Sequence, residues 1–136
     1  MICEIIHDEK FLAQKSSEAG FLDIHIAQNL LDTLAAHAET CVGLAANMIG
    51  VQKRIIVVNM GAVNVAMLNP IIVKKYGKYI TEEGCLSLNG VRQTVRYQKI
   101  TVEYQDIQLK KQRRSFEGWT AQIIQHEIDH CNGILI

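Results

Sequence analysis

The chain has 136 residues, 49% of them hydrophobic and 21% charged, which suits one globular domain with a real core and leaves too little chain for two. Fourteen basic residues balance fourteen acidic ones, so no global field draws the protein toward nucleic acid or anionic lipid. Met1 to Asp8 show no basic start and no long apolar run, and nothing approaches the ~18–20 apolar residues of a membrane span. The expectation is a single cytoplasmic domain over residues 1–136, in contact with neither membrane nor nucleic acid. Cys3, Cys41, Cys85 and Cys131 are spread widely, and without a sign of secretion they read as thiols or ligands.

Residues 21–38 predict a helix. Leu22, Ile26, Leu30 and Leu34 recur every four residues with Ala27 and Leu31 beside them, forming one apolar stripe. A loop of small residues follows, Cys41-Val42-Gly43-Leu44-Ala45-Ala46. The run Ile55-Ile56-Val57-Val58 is β-branched and continuous, as in a buried strand. Val65 to Leu68 and Ile71 to Val73 read as another strand interrupted at Pro70, the only proline. From Val95 to Tyr104 apolar and polar residues alternate as in a half-buried antiparallel strand. The offset between Tyr97 and Ile100 suggests a bulge. Ile107 and Leu109 continue toward a hairpin. The basic run Lys110-Lys111-Gln112-Arg113-Arg114 has no interleaved aromatics and reads as a solvated turn. Residues 115–131 predict the last helix, with Ser115 as its N-cap. Helix, strands, helix is an α+β order: antiparallel sheets packed around the C-terminal helix, with a second helix near the N-terminus.

That last helix carries the pattern HExxH in Gln125-His126-Glu127-Ile128-Asp129-His130. Residues four apart on a helix share a face, so both imidazoles can reach one divalent ion. With His126 at zero and about 100° per residue, Trp119, His130, Ile123, Phe116 and Glu127 all fall within roughly 100° on one side. Gln122, Gln125 and Asp129 take the opposite arc. Two histidines and a glutamate on the apolar face are costly to bury unless something compensates, and a divalent cation does. Few residues remain downstream, and Cys131 is angled about 100° from His130. The third ligand is therefore sought upstream, and Glu83-Gly84-Cys85-Leu86-Ser87 is its best source. A closed structural zinc site would need a fourth protein ligand, which is not in evidence.

Glu-Gly-Cys-Leu-Ser followed by Gln-His-Glu-Ile-Asp-His resembles the second and third motifs of peptide deformylases. Cys41-Val42-Gly43-Leu44-Ala45-Ala46-Asn47-Met48 is similar to the first, GxGxAAxQ. The resemblance implies the deformylase fold and one divalent ion held by Cys85, His126 and His130, ferrous iron in the cell and zinc or nickel in purified material. It implies removal of the formyl group from N-formylmethionyl peptides as they leave the ribosome. It assigns Glu127 as general base and acid and the backbone N–H of Leu86 as an oxyanion donor. Val42, Gly43, Met48, Gly84, Trp119 and Ile123 are expected to contact substrate.

The chain departs from the family pattern in several places. Met48 replaces the glutamine whose amide is the second oxyanion donor, and a thioether has no N–H to give. Asn47 carries an amide next door, but on an extended segment it would point to the other face. Cys41 replaces the first glycine, Asn89 stands where proline is common, and Trp119 is larger than usual. The sequence stops at Ile136, without the extension that docks many bacterial members on the ribosome. Arg96 fits either a family arginine near the substrate backbone or a surface charge on an exposed strand. The expectation is a deformylase-type hydrolase of reduced activity. The alternative is a catalytically impaired relative that binds metal or peptide.

Overall fold

A computed structural model describes residues 1–136. Asp8 accepts from the backbone N–H of Lys10 and Phe11 and so starts the short helix α1 (Glu9–Leu12), whose Leu12 is fully buried. The predicted long helix begins three residues late, as α2 (Ile24–Ala36) after a 3₁₀ turn at Phe21–Asp23. Leu22 is therefore not part of the stripe and stays exposed, whereas Ile26, Ala27, Leu30 and Leu34 are buried against the sheet.

Five strands follow in one antiparallel sheet whose spatial order is their chain order: β1 (Gly43–Ala45), β2 (Ile55–Asn59), β3 (Asn64–Gly84), β4 (Val91–Gln105) and β5 (Lys111–Glu117). The small-residue loop is thus an edge strand, continued by a 3₁₀ turn over Ala46–Ile49. Ile55 to Val58 are wholly buried, because both α2 and the C-terminal helix α3 (Gly118–Cys131) pack on β2. No helix is long and apolar enough to cross a membrane.

Pro70 does not interrupt the second predicted strand. β3 runs through it, and the missing N–H falls where the register shifts between Leu68 and Ile71. Asn69 takes φ 53° there, a conformation asparagine tolerates better than most residues. Its side chain bonds the backbone of Ala19 in both directions and donates to Gln105. The bulge expected in β4 is absent. The pairs Lys78–Tyr97, Tyr76–Lys99 and Lys75–Ile100 keep one register, and the irregularities lie in β3. Tyr97 is half-buried beside the core, and the in-phase residues Arg96, Ile100, Val102 and Tyr104 of β4 are buried.

The basic run is not a turn. Lys111 to Arg114 form most of β5, an edge strand paired along β4 from Glu117 to Lys111. Exposed Lys and Arg are what such an edge tolerates, since charge discourages further pairing. Ser115 lies in this strand, hydrogen-bonded to Thr101 through its hydroxyl, and Glu117 takes the N-cap position of α3. Gly118, at φ 63°, makes the corner between strand and helix.

The far end of α3 is seated as closely as its start. The Cys131 carbonyl accepts from Ser16 N–H at 2.9 Å, and Gly133 has φ 74° with an added Cβ falling 2.5 Å from the Ala13 carbonyl oxygen. Gly133→Ala should therefore cost more than about 1 kcal/mol of stability, read from urea unfolding. A loss within error would show that the α3 terminus is not held by this contact.

Candidate metal centre

α3 places His126 and His130 one turn apart on the face that meets β1, β2 and β4. Their Nε2 atoms stand 3.2 Å from each other. Cys85, just past the end of β3, brings its sulfur to 3.3 Å from His130 Nε2. The three ligand atoms lie within 4.8 Å of one another, with His126 and His130 buried and Cys85 half-buried. Ligands at about 2.0–2.3 Å from a tetrahedral ion stand roughly 3.3–3.6 Å apart, so the cluster matches the spacing such an ion needs. Cys131 does not join it, and all four cysteines are unpaired.

The electrostatics point the same way. Burial opposes charge on both imidazoles, yet hydrogen bonds to Cys85 and Glu83 hold a proton on His126 and raise its pKa. Burial and then the charge on His126 drive His130 well below the usual histidine range. The pair accommodates one positive charge between its two facing nitrogens, and a divalent cation can take that place. A buried side-chain atom beside the cluster, Glu127 Oε1, has no hydrogen-bond partner. Such an orphan in a native core calls for an explanation such as an ion and its water. The donor set of one thiolate and two imidazoles suits ferrous iron or zinc.

Glu127 is 5% exposed. Burial, with the Glu83 and Asp129 charges adding and His126 opposing, pushes its carboxyl up to about 7. Gly43 lies directly against it. A Cβ on Gly43 would stand 2.9 Å from both Glu127 Oε2 and Ile123 Cγ2, so only glycine lets β1 pass this close to the carboxylate.

A cleft of about 460 Å³ opens over the cluster. Val42, Gly43 and Met48 line it from the first motif, Gly84, Cys85 and Leu86 from the second. Trp119, Ile123, His126 and Glu127 line it from α3. Sequence reading named each of these. His130 sits behind, fully buried. Leu86 lies outside every strand and helix, and no group of the chain accepts its N–H. Trp119 is 63% exposed, which places it at the rim rather than on the floor.

The residues around Met48 settle two of the expected departures. Met48 is buried, and its sulfur accepts the Ala45 N–H at 3.4 Å, so it takes a hydrogen bond and gives none. Asn47 does not replace the absent amide. Its Nδ2 donates to the carbonyls of His130 at 3.0 Å and Leu12 at 3.5 Å, away from the cleft. The segment is a 3₁₀ turn rather than extended, but the outcome is the same. Cys41 donates to Gly43 O at 3.0 Å, and burial pushes its thiol up to about 11.

Sequence reading missed the groups behind the histidines. Glu83 Oε1 lies 2.7 Å from His126 Nδ1. The same carboxylate is gripped by Arg96 Nε and Nη2 at 2.9 and 2.7 Å and by the Gln122 amide at 2.9 Å. Arg96 Nη1 continues to Asp129 at 2.8 Å. Arg96 is 3% exposed, so it is neither a surface charge nor a cleft residue. Against the cost of burial, hydrogen bonds from His126, Arg96 and Gln122, together with the Arg96 charge, keep Glu83 ionised, at about 2. Ionised Glu83 then accepts from His126 Nδ1–H and turns Nε2 toward the cluster, a common support for a ligating histidine. The signal was available. Arg96 is in phase with Ile100, Val102 and Tyr104, but the supposed bulge put it on the wrong face.

The sequence model of the polypeptide deformylase family matches residues 3–136. A peptide deformylase of Clostridium beijerinckii is 54% identical over 136 residues, the whole of both chains. One from Desulfitobacterium hafniense is 40% identical over 111 residues, 81% of this chain and 73% of the relative. Among solved structures, a class I type b peptide deformylase from Acinetobacter baumannii, bound to Met-Ala-Ser, superposes with a TM-score of 0.89 at 27% identity, covering 99% of this chain and 97% of the other. A peptide deformylase from Legionella pneumophila gives 0.90 at 33% identity, covering 99% and 83%.

The support behind His126 generates a direct test. Arg96→Met should destabilise the fold by about 3–5 kcal/mol, because it leaves the Glu83 carboxylate buried without its cation. Arg96→Met with Glu83→Leu, which removes both charges, should recover much of that loss in the same unfolding measurement. Equal losses in the single and double variants would contradict the pairing.

Proposed function

The chain belongs to the peptide deformylase family, whose members are metal-dependent hydrolases, and from that membership we propose that it removes the formyl group from N-formylmethionyl peptides at the Cys85–His126–His130 cluster, with Glu127 as its base. The observation that carries this reading is the convergence of those three ligand atoms beside a buried carboxylate whose Oε1 has no partner. A divalent ion held there, one per chain and ferrous in the cell, supplies a Lewis acid that brings the pKa of water toward neutrality.

The chain's own residues do the rest. β1 is the open edge of the sheet, and the Val42 carbonyl already accepts from Asn59 N–H. Alternation along the strand leaves the N–H and C=O of Gly43 facing the cleft. A formylated peptide laid along this edge presents its formyl carbon over the cluster, after displacing the Cys41 thiol from the Gly43 carbonyl. Glu127 Oε1 accepts the proton of the attacking water, and the Leu86 N–H donates to the carbonyl oxygen as it gains charge. Glu127 then delivers its proton to the amine nitrogen as the C–N bond breaks, releasing formate and a free N-terminus. A Glu127 pKa of about 7 suits both accepting and returning a proton near neutral pH. The methionine side chain lies against Ile123 and Val42, with Trp119 at the rim. The Met-Ala-Ser held by the Acinetobacter baumannii relative supports a peptide in this cleft. Such substrates place the protein in the cytoplasm, in passing contact with the ribosome.

Turnover is reduced because Met48 gives the oxyanion no second donor. Loss of one such donor typically costs about 10²–10³ in kcat. The same observation favours a second reading, in which the chain binds metal and peptide with little turnover. Retention of Glu127 favours the first, since a binding site needs no base.

Formate release from formyl-Met-Ala-Ser by anaerobically purified, Fe(II)-loaded protein should be slow and should rise at least about tenfold in Met48→Gln. Fast wild-type turnover unchanged by that substitution would refute the role given to Met48. Independently, Cys85→Ser and His126→Ala should each lower bound metal well below one ion per chain, measured by elemental analysis. Full occupancy in both would remove them as ligands.

A further inference from the structure

Cys85 and Leu86 sit at the start of a loop, residues 85–90, that links β3 to β4 without regular structure. Its ordering is therefore a question about side chains. Within the loop, Ser87 N–H donates to the Cys85 sulfur at 3.4 Å, while Ser87 Oγ is buried and makes no bond. Arg92 reaches the Asn89 carbonyl at 3.4 Å, still within the hairpin. Apart from the Cys85 sulfur on His130, one hydrogen bond reaches the loop from outside the hairpin. It comes from His7, whose Nδ1 lies 2.8 Å from the Ser87 carbonyl oxygen, 80 residues away in sequence.

The segment that carries His7 is itself well anchored. Ile6 N–H donates to the Met48 carbonyl at 2.8 Å. Asp8 starts α1, and the buried Leu12 at its end offers its carbonyl to Asn47. Residues 6 and 7 thus span the turn that carries Met48 and the loop that carries Cys85. A carbonyl acceptor requires that Nδ1 carry the proton, which both the neutral Nδ1–H tautomer and the imidazolium provide.

We propose that His7 is a positioning residue for the centre: by holding the Ser87 carbonyl, it fixes the conformation of Ser87, whose N–H meets the Cys85 sulfur, and with it the stretch one residue earlier that presents the N–H of Leu86. The Ser87 N–H and carbonyl belong to the two peptides that flank this one residue. Releasing the carbonyl lets Ser87 rotate, which withdraws its N–H from the sulfur and turns the Leu86 N–H away from the cleft. The inference rests on Cys85 being a ligand and not on the speed of turnover.

Two variants and a metal-release measurement test it. His7→Ala removes the donor, whereas His7→Asn places an amide Nδ2 near the position of Nδ1. Zinc-loaded proteins are mixed with excess chromogenic chelator and the rate of zinc release is followed, with thermal melting in parallel. His7→Ala should release zinc roughly tenfold faster than wild type, the scale of effect of a group that supports a ligand. His7→Asn should return to within about threefold, and the metal-free melting temperatures of the variants should agree closely. In the Fe(II) enzyme the loss should fall on kcat, with KM little changed, because the affected N–H acts on developing charge. Release from His7→Ala at the wild-type rate overturns the proposal. So does faster release that His7→Asn fails to slow, or that tracks a matching fall in melting temperature, since either makes His7 a general packing residue. Because release is read without turnover, an inactive wild-type enzyme would leave this test intact.

Discussion

A carboxylate taken out of water beside an imidazole has to be kept ionised by something, and in this protein Arg96 does so for Glu83. The guanidinium grips Glu83 with two nitrogens and Asp129 with a third, tying the β3–β4 hairpin to α3 at the level of the histidines. The tie sets the tautomer of His126 and holds the end of β3, which leads into Cys85, against α3. Buried charges of this kind add little net stability but penalise any other arrangement heavily. Geometry, more than energy, is what the network contributes.

Around it the sheet works as a holder with one open edge. β2 is buried by helices on both sides, so β1 is pinned in place while its free edge faces the cleft. Gly43 lets that edge approach Glu127 to within a distance no side chain would permit. The first motif therefore contributes backbone to the cleft, and its last residue should contribute a donor. Met48 instead turns its sulfur back onto the Ala45 N–H, satisfying the turn internally and leaving the cleft without that group. The same turn is held from below by Asn47 on α3 and by Ile6 on the N-terminal segment. Its shape survives the substitution even though its chemistry does not.

The parts legible in the sequence were those with a strong local period. HExxH on an apolar helical face and the β-branched run of β2 needed no tertiary information, and the three motifs contain ten of the fifteen residues that line the cleft. The rest was hidden for identifiable reasons. From Val73 to Glu82 β3 is a ribbon mostly exposed on both faces, so it shows no alternation to read. β5 is a charged edge whose evidence for being a strand lies in its pairing with β4. The start of α3 was placed three residues early because Phe116 fits the helical wheel; Gly118 in the left-handed region ends that fit. Arg96 was misjudged through the phase of one strand, and with it went Glu83 and the whole support of His126. The contact of His7 with Ser87 joins residues 80 apart in sequence and leaves no pattern in either.

The proposed metal centre has Cys85, His126 and His130 together holding one divalent ion with a position left open for water. Anaerobic titration of the metal-free protein with Co(II), followed by absorption spectroscopy, tests it most directly. Saturation should come at one ion per chain, with intense visible bands of a four-coordinate site and a near-ultraviolet thiolate charge-transfer band that disappears in Cys85→Ser. Weak six-coordinate bands, no charge-transfer band, or saturation without dependence on Cys85 would contradict it.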